Sequence, residues 1–231
     1  MTNPLRSPFF VVNPKSYLYG EEEYKLAAVA EELAVKYDVD ILFTGQLVDL
    51  ARIAHDFPHL YVCAQAMESL KPGRGMGHIL PEALKAAGVR ATFLNHAENP
   101  MTMSELTKTI ARAKEVGILT VVCADDVADA KAIAQLHPDV MVCELTSLIG
   151  TGKTADESYM KATNEAVKAI SPETRTLQAA GISTAEDVYK AIASGADGTG
   201  GTSGIVCAKD PAATLREMIA ALDRARTDFY K

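Results

Sequence analysis

Tryptophan is absent from this chain, cysteine occurs only four times in 231 residues, and aromatic side chains make up 6%. Positive charge is scarce as well: 23 Lys and Arg stand against 30 Asp and Glu, a formal net charge of −7. A nucleic-acid binder would show clustered Lys and Arg, so the acidic balance argues against that class. No apolar run approaches the roughly 20 residues that span a bilayer; the longest lies near Ile118–Ala124. Met1–Pro8 lacks the basic region and apolar run of a signal peptide, so a cytoplasmic location is expected. Cys63, Cys123, Cys143 and Cys207 form no Cys-x-x-C pair and have no His cluster at zinc spacing, which argues against both a disulfide scaffold and a structural metal. Three of them end apolar runs, where a thiol packs as a small hydrophobe.

What is present is the composition of an ordinary globular protein, 48% hydrophobic and 23% charged. A chain of this length buries roughly 70–75% of its unfolded surface and sustains one large core without staples. Short β-rich runs recur at Phe9–Asn13, Asp40–Thr44, Leu60–Ala64, Ala91–Asn95, Leu119–Cys123, Val140–Glu144 and Thr176–Ala179, with a weaker one near Ala196–Thr199. Segments of helical periodicity lie between them, among them Glu21–Tyr37, Thr102–Val116, Asp156–Ile170, Thr184–Ser194 and Asp210–Ala225. Thr102 with Glu105 reads as a capping box, and Ser183 with Glu186 as a second helix start. Gly88, Gly117 and Gly195 follow helical stretches where a left-handed residue is wanted.

Nearly continuous apolar strands mean burial on both faces and hence a parallel sheet. Strand and helix alternate about eight times, which predicts a (β/α)8 barrel. No linker or compositional break divides it, so residues 1–231 are expected to form one domain. Chemistry in such a barrel sits where strands end and loops begin. Asn13 and Lys15 follow the first strand, Gln65 the third, Asn95-His96-Ala97-Glu98 the fourth, and Glu144 the sixth. A carboxylate ending a buried strand pays desolvation, which raises its pKa toward that of a general base. Glycine-rich loops after the sixth, seventh and eighth strands offer backbone amides to an anion without positive side chains. Ser147 to Thr154 nearly matches a P-loop. Its first glycine is replaced by Ser147, however, and the next helical pattern begins only near Asp156, so nucleotide hydrolysis is not expected.

Taken together in order, these motifs resemble the triosephosphate isomerase family, especially its short archaeal-type branch. The resemblance runs from Asn13-Pro-Lys15 through Gly77-His-Ile-Leu-Pro-Glu82, Asn95-His-x-Glu98, Glu144 with Ile149-Gly-Thr-Gly152, and Ala180-Gly-Ile-Ser-Thr184, to Ala208-Lys-Asp-Pro211. It implies an isomerase of a small phosphorylated sugar that needs no metal and no cofactor, acting as a homodimer or, in the short branch, a homotetramer. By the same resemblance Glu144 is the base, His96 the neutral electrophile, and Asn13 and Lys15 bind substrate. Ile149, Gly150, Gly181, Thr202 and Ser203 contact the phosphate. This division of roles is the family's and does not follow from spacing.

The chain departs from the family pattern in places. Ala97 stands where the family has Ser, which removes a hydroxyl partner for the catalytic carboxylate. Pro100 removes an amide near the helix start expected to keep the His neutral. Leu145-Thr146-Ser147 replaces a Pro-led hinge, and Thr199-Gly-Gly201 occupies an aliphatic strand. Two further readings follow: an isomerase of another small sugar phosphate such as a four-carbon one, or a barrel retained for phosphate binding alone.

Overall fold

The computed structural model describes residues 4–148, 151 and 154–230. In chain order the elements are β1 (Phe9–Val12), α1 (Gly20–Tyr37), β2 (Ile41–Gly45), α2 (Leu50–Asp56), β3 (Tyr61–Ala64), α3 (Pro81–Ala86), β4 (Ala91–Leu94), α4 (Met103–Val116) and β5 (Leu119–Ala124). There follow α5 (Val127–Ala134), β6 (Val140–Cys143), α6 (Glu157–Ile170), β7 (Arg175–Gln178), α7 (Ala185–Ala193), β8 (Gly198–Gly201), α8 (Ser203–Val206) and α9 (Pro211–Phe229). Each strand pairs in parallel with the next, and β8 returns to β1 with Phe9 opposite Gly198 and Val12 opposite Gly201. The result is the expected closed (β/α)8 barrel.

Strand side chains alternate between two cores, which is why the strands read as continuous apolar runs. Phe9, Val11, Leu42, Cys63, Phe93, Val121, Cys123, Val142 and Leu177 fill the barrel. Phe10, Val12, Ile41, Phe43, Val62 and Met141 point outward against Leu26, Ile53, Ile110, Val188 and Leu222 of the helices. Among the described residues no helix is long and apolar enough to cross a membrane.

The eighth strand is displaced from its expected place. Gly198–Gly201 forms β8, because the space inside the barrel selects glycine there: a Cβ on Gly198 would lie 2.6 Å from the Phe9 ring, and one on Gly200 2.4 Å from the Val11 carbonyl oxygen. Outward-facing Thr199 donates its hydroxyl to the Gln178 carbonyl at 2.8 Å. The capping box before α7 also shifts by one residue, to Thr184 and Asp187, whose side chains and backbone amides exchange hydrogen bonds. At α4 only half a box forms. The Thr102 hydroxyl accepts from the Glu105 amide, but the Glu105 carboxylate turns away to accept from Ser69.

Candidate active site

Strand parity decides which residues enter the cleft at the C-terminal mouth of the barrel. Asn13 and Glu144 each stand one residue past a strand end, in phase with inward-facing Val11 and Val142. A cleft of about 240 Å³ opens there. It is floored by Val11, Phe93, Val142 and Leu177 and ringed by Asn13, Lys15, His96, Glu98, Glu144, Gly181, Thr202 and Ser203. Seven of the nine residues expected in the site therefore converge. The other two, Ile149 and Gly150, lie outside the described residues, as do Gly152 and Lys153 of the same glycine-rich loop.

Lys15 sits in an unfavourable backbone conformation, with φ +47°. A left-handed non-glycine residue costs of order 1–3 kcal/mol and persists only where its surroundings demand it. Here they do. Its amide donates to the Asn13 side-chain oxygen at 3.0 Å, an oxygen that also accepts from the Thr44 hydroxyl at 2.6 Å. Its carbonyl accepts from the side-chain amides of Gln46 at 2.9 Å and Gln65 at 2.8 Å. Three neighbouring strands thus lock one turn. Its ammonium reaches the Glu98 carboxylate at 2.7 Å, and that contact holds Glu98 below the usual carboxylate range.

His96 is fixed as a neutral ring. The Glu98 amide donates to its Nδ1 at 3.1 Å, so Nδ1 carries a lone pair and the proton resides on Nε2. Burial, together with the Lys15 charge, pulls its pKa below the ordinary histidine value. The amide that meets the ring is that of Glu98, two residues on, and not one at position 100, where proline has none. The ring is presented by Asn95, left-handed at φ +57°, whose side chain donates to the Cys123 carbonyl at 3.1 Å and accepts from the Met101 amide at 3.0 Å.

Nε2 faces Glu144 Oε2 at 4.0 Å across the cleft. The Glu144 carboxyl is mostly buried, and burial raises its pKa. Lys15 opposes that rise and Glu98 adds to it. A carboxyl with a raised pKa and an imidazole with a lowered one face each other over one gap, with the Lys15 ammonium alongside. That constellation suits proton transfer at carbon beside a polarised carbonyl.

A profile of the triosephosphate isomerase family matches residues 8–219. The chain belongs to the triosephosphate isomerase family. It is 36% identical over 225 residues to the triosephosphate isomerase of Methanopyrus kandleri, covering 95% of this chain and 100% of that one. To the Methanobacterium bryantii enzyme it is 35% identical over 221 residues, covering 94% and 97% of the two chains. To that of Methanocaldococcus jannaschii it is 36% identical over 214 residues, covering 90% and 97%. Family membership gives the glycine-rich rim a context. Gly181 is left-handed at φ +69°, and its carbonyl accepts from the Ser183 hydroxyl at 2.9 Å. Gly204 brings the loop after β8 so close that a Cβ there would lie 2.6 Å from the Ile182 carbonyl oxygen. The two loops carrying Gly181, Thr202 and Ser203 are thus packed edge to edge. Among the described residues no three His, Cys, Asp or Glu side chains converge on a metal-binding position.

Thr44, Gln46, Gln65 and Glu98 received no role in the sequence reading. Glu98 was within reach of it, being part of Asn95-His-x-Glu98. Gln65 was legible only as the residue that follows the third strand; Gln46 meets the Lys15 carbonyl from 31 residues away and Thr44 meets the Asn13 side chain, contacts that no local pattern signals.

Proposed function

We propose that the protein interconverts dihydroxyacetone phosphate and glyceraldehyde 3-phosphate, a step shared by glycolysis and gluconeogenesis. The observation that carries this is Glu144 facing a histidine whose Nδ1 is occupied by an amide donor. The Glu144 carboxylate removes a proton from the carbon bearing the hydroxyl, and the electron pair moves into the carbonyl to form an enediolate. Nε2–H of His96 donates to the developing oxyanion and passes protons between the two oxygens. Glu144 returns its proton to the neighbouring carbon. Lys15 offsets the negative charge, and Asn13 holds both the lysine and the substrate. Gly181, Thr202 and Ser203 receive the phosphate, a task Ile149 and Gly150 share on their motif alone.

The test is a coupled assay comparing glyceraldehyde 3-phosphate with four- and five-carbon sugar phosphates. Fastest turnover of the triose is expected. Faster turnover of a longer substrate would reassign the substrate, and no turnover of any would leave a phosphate-binding barrel.

We also propose that the chain works as a homodimer or homotetramer. Tyr17, Tyr19, Leu47, Val48 and Met76 stand out from the loops after β1, β2 and β3, with Tyr19 74% and Val48 89% exposed. Apolar side chains grouped on adjacent loops are a feature of association surfaces. Sedimentation velocity at micromolar concentration should show no monomer peak. The cysteines, all free, with Cys63, Cys123 and Cys143 buried, fit the reducing cytoplasm.

A further inference from the structure

Glu23 is a fully buried carboxyl outside the cleft, on the first turn of α1, and the mechanism above does not use it. It lies beneath the loop joining β2 to α2. The Gln46 amide donates to both its oxygens, at 3.1 and 3.3 Å, and its carboxyl shares a hydrogen bond with that of Asp49. Asp49 in turn accepts from the Gly20 amide at 2.8 Å, while the Gln46 side chain donates to the Lys15 carbonyl at 2.9 Å. Gln46 and Asp49 therefore grip the two ends of the loop after β1, and both are anchored on Glu23. Gly45 leaves the room this requires, since a Cβ there would lie 3.0 Å from Glu23 Oε1.

We propose that Glu23 is a positioning residue for Lys15, acting through Gln46 and Asp49. The proposal rests on the isomerase reading and adds a control outside the cleft. Only a protonated carboxyl can accept from Gln46 and donate to Asp49 at once. Burial beside Asp49 pushes the Glu23 carboxyl up to about 8. The charges around it offer no compensation. Arg52, from α2, is paired with Glu21 and lies over the Tyr24 ring, Lys25 is paired with Glu22, and Arg216, from α9, with Glu32. Ionised Glu23 would still accept from the Gln46 amide but would repel Asp49, so the loop carrying the left-handed Lys15 would lose its anchor at the Gly20 end.

The experiment compares wild type, Glu23→Gln and Glu23→Ala between about pH 6.5 and about pH 9.5, reading kcat/KM for triose phosphate and, by calorimetry, affinity for sulfate, whose charge is constant in that range. Wild type should lose roughly tenfold in both as pH rises through the Glu23 pKa. Glutamine keeps one acceptor for Gln46 and one donor for Asp49, so Glu23→Gln should match wild type near neutrality and lack the alkaline loss. Glu23→Ala should be weak at every pH. If it does not fold, the glutamine variant alone decides. An alkaline loss unchanged in Glu23→Gln, or a Glu23→Ala protein that behaves as wild type, overturns the proposal. Absence of triose turnover in wild type would refute the isomerase reading, and sulfate affinity would still judge Glu23.

Discussion

Replacing Gly198 by alanine would place a methyl group 2.6 Å from two atoms of the Phe9 ring and 2.8 Å from a third. Phe9 is wholly enclosed in the lower layer of the barrel and has nowhere to retreat. Inserting a methyl group into a packed core costs about 1–3 kcal/mol. Removing a glycine from the unfolded chain returns about 0.4–1 kcal/mol, so Gly198→Ala should be destabilised by about 1–2 kcal/mol net. Phe9→Leu alone should cost about 1–2 kcal/mol, below the ~3–5 kcal/mol of a full truncation to alanine. In the double variant the new methyl occupies space the ring has vacated. The pair should then lose only about 1–2 kcal/mol in total, a coupling of about 1–2 kcal/mol. Urea unfolding of the four proteins measures this cycle. Because Phe9 lies one inward-facing position below Val11 of the cleft floor, kcat/KM per folded molecule should change little. Strict additivity of the two single effects would refute the reasoning, since it would mean that Gly198 is not selected by the Phe9 ring.

Glu144→Gln should lower kcat by several orders of magnitude while substrate analogues still bind, because an amide cannot take a proton from carbon. Retention of more than about a tenth of the activity, a barrier change under roughly 1.4 kcal/mol, would exclude Glu144 as the base. Lys15→Met should abolish both substrate binding and turnover, and an unchanged KM would sink its assignment. Glu144 must be ionised to act, so kcat/KM falls as pH drops through its raised pKa. Because Glu98 contributes to that rise, Glu98→Gln should move the acid limb to lower pH, and movement in the other direction would contradict the electrostatics of the cleft. Ala97→Ser should raise kcat/KM for triose phosphate if the missing hydroxyl limits turnover; a drop would indicate a pocket shaped for a different sugar phosphate.

Periodicity in the sequence was enough to determine the barrel, because strands buried on both faces must be continuously apolar and eight of them alternate with helices. Strand phase was enough to place Asn13 and Glu144 at the mouth, since side chains alternate strictly along a strand. The strand of glycine and threonine was the least legible, because glycine at Gly198 and Gly200 answers to Phe9 and Val11 on a strand some 190 residues distant, a contact that exists only after closure. Closure likewise decided the conformation of Lys15. Thr44, Gln46 and Gln65 come from the ends of β2 and β3, and only the parallel register of those strands with β1 brings their polar atoms onto one turn. Glu23 reads in the chain as one of three consecutive acids opening an amphipathic helix, the mark of a solvated first turn. Packing of α1 beneath the loop after β2 removed that one side chain from water, and desolvation beside Asp49 then set its chemistry.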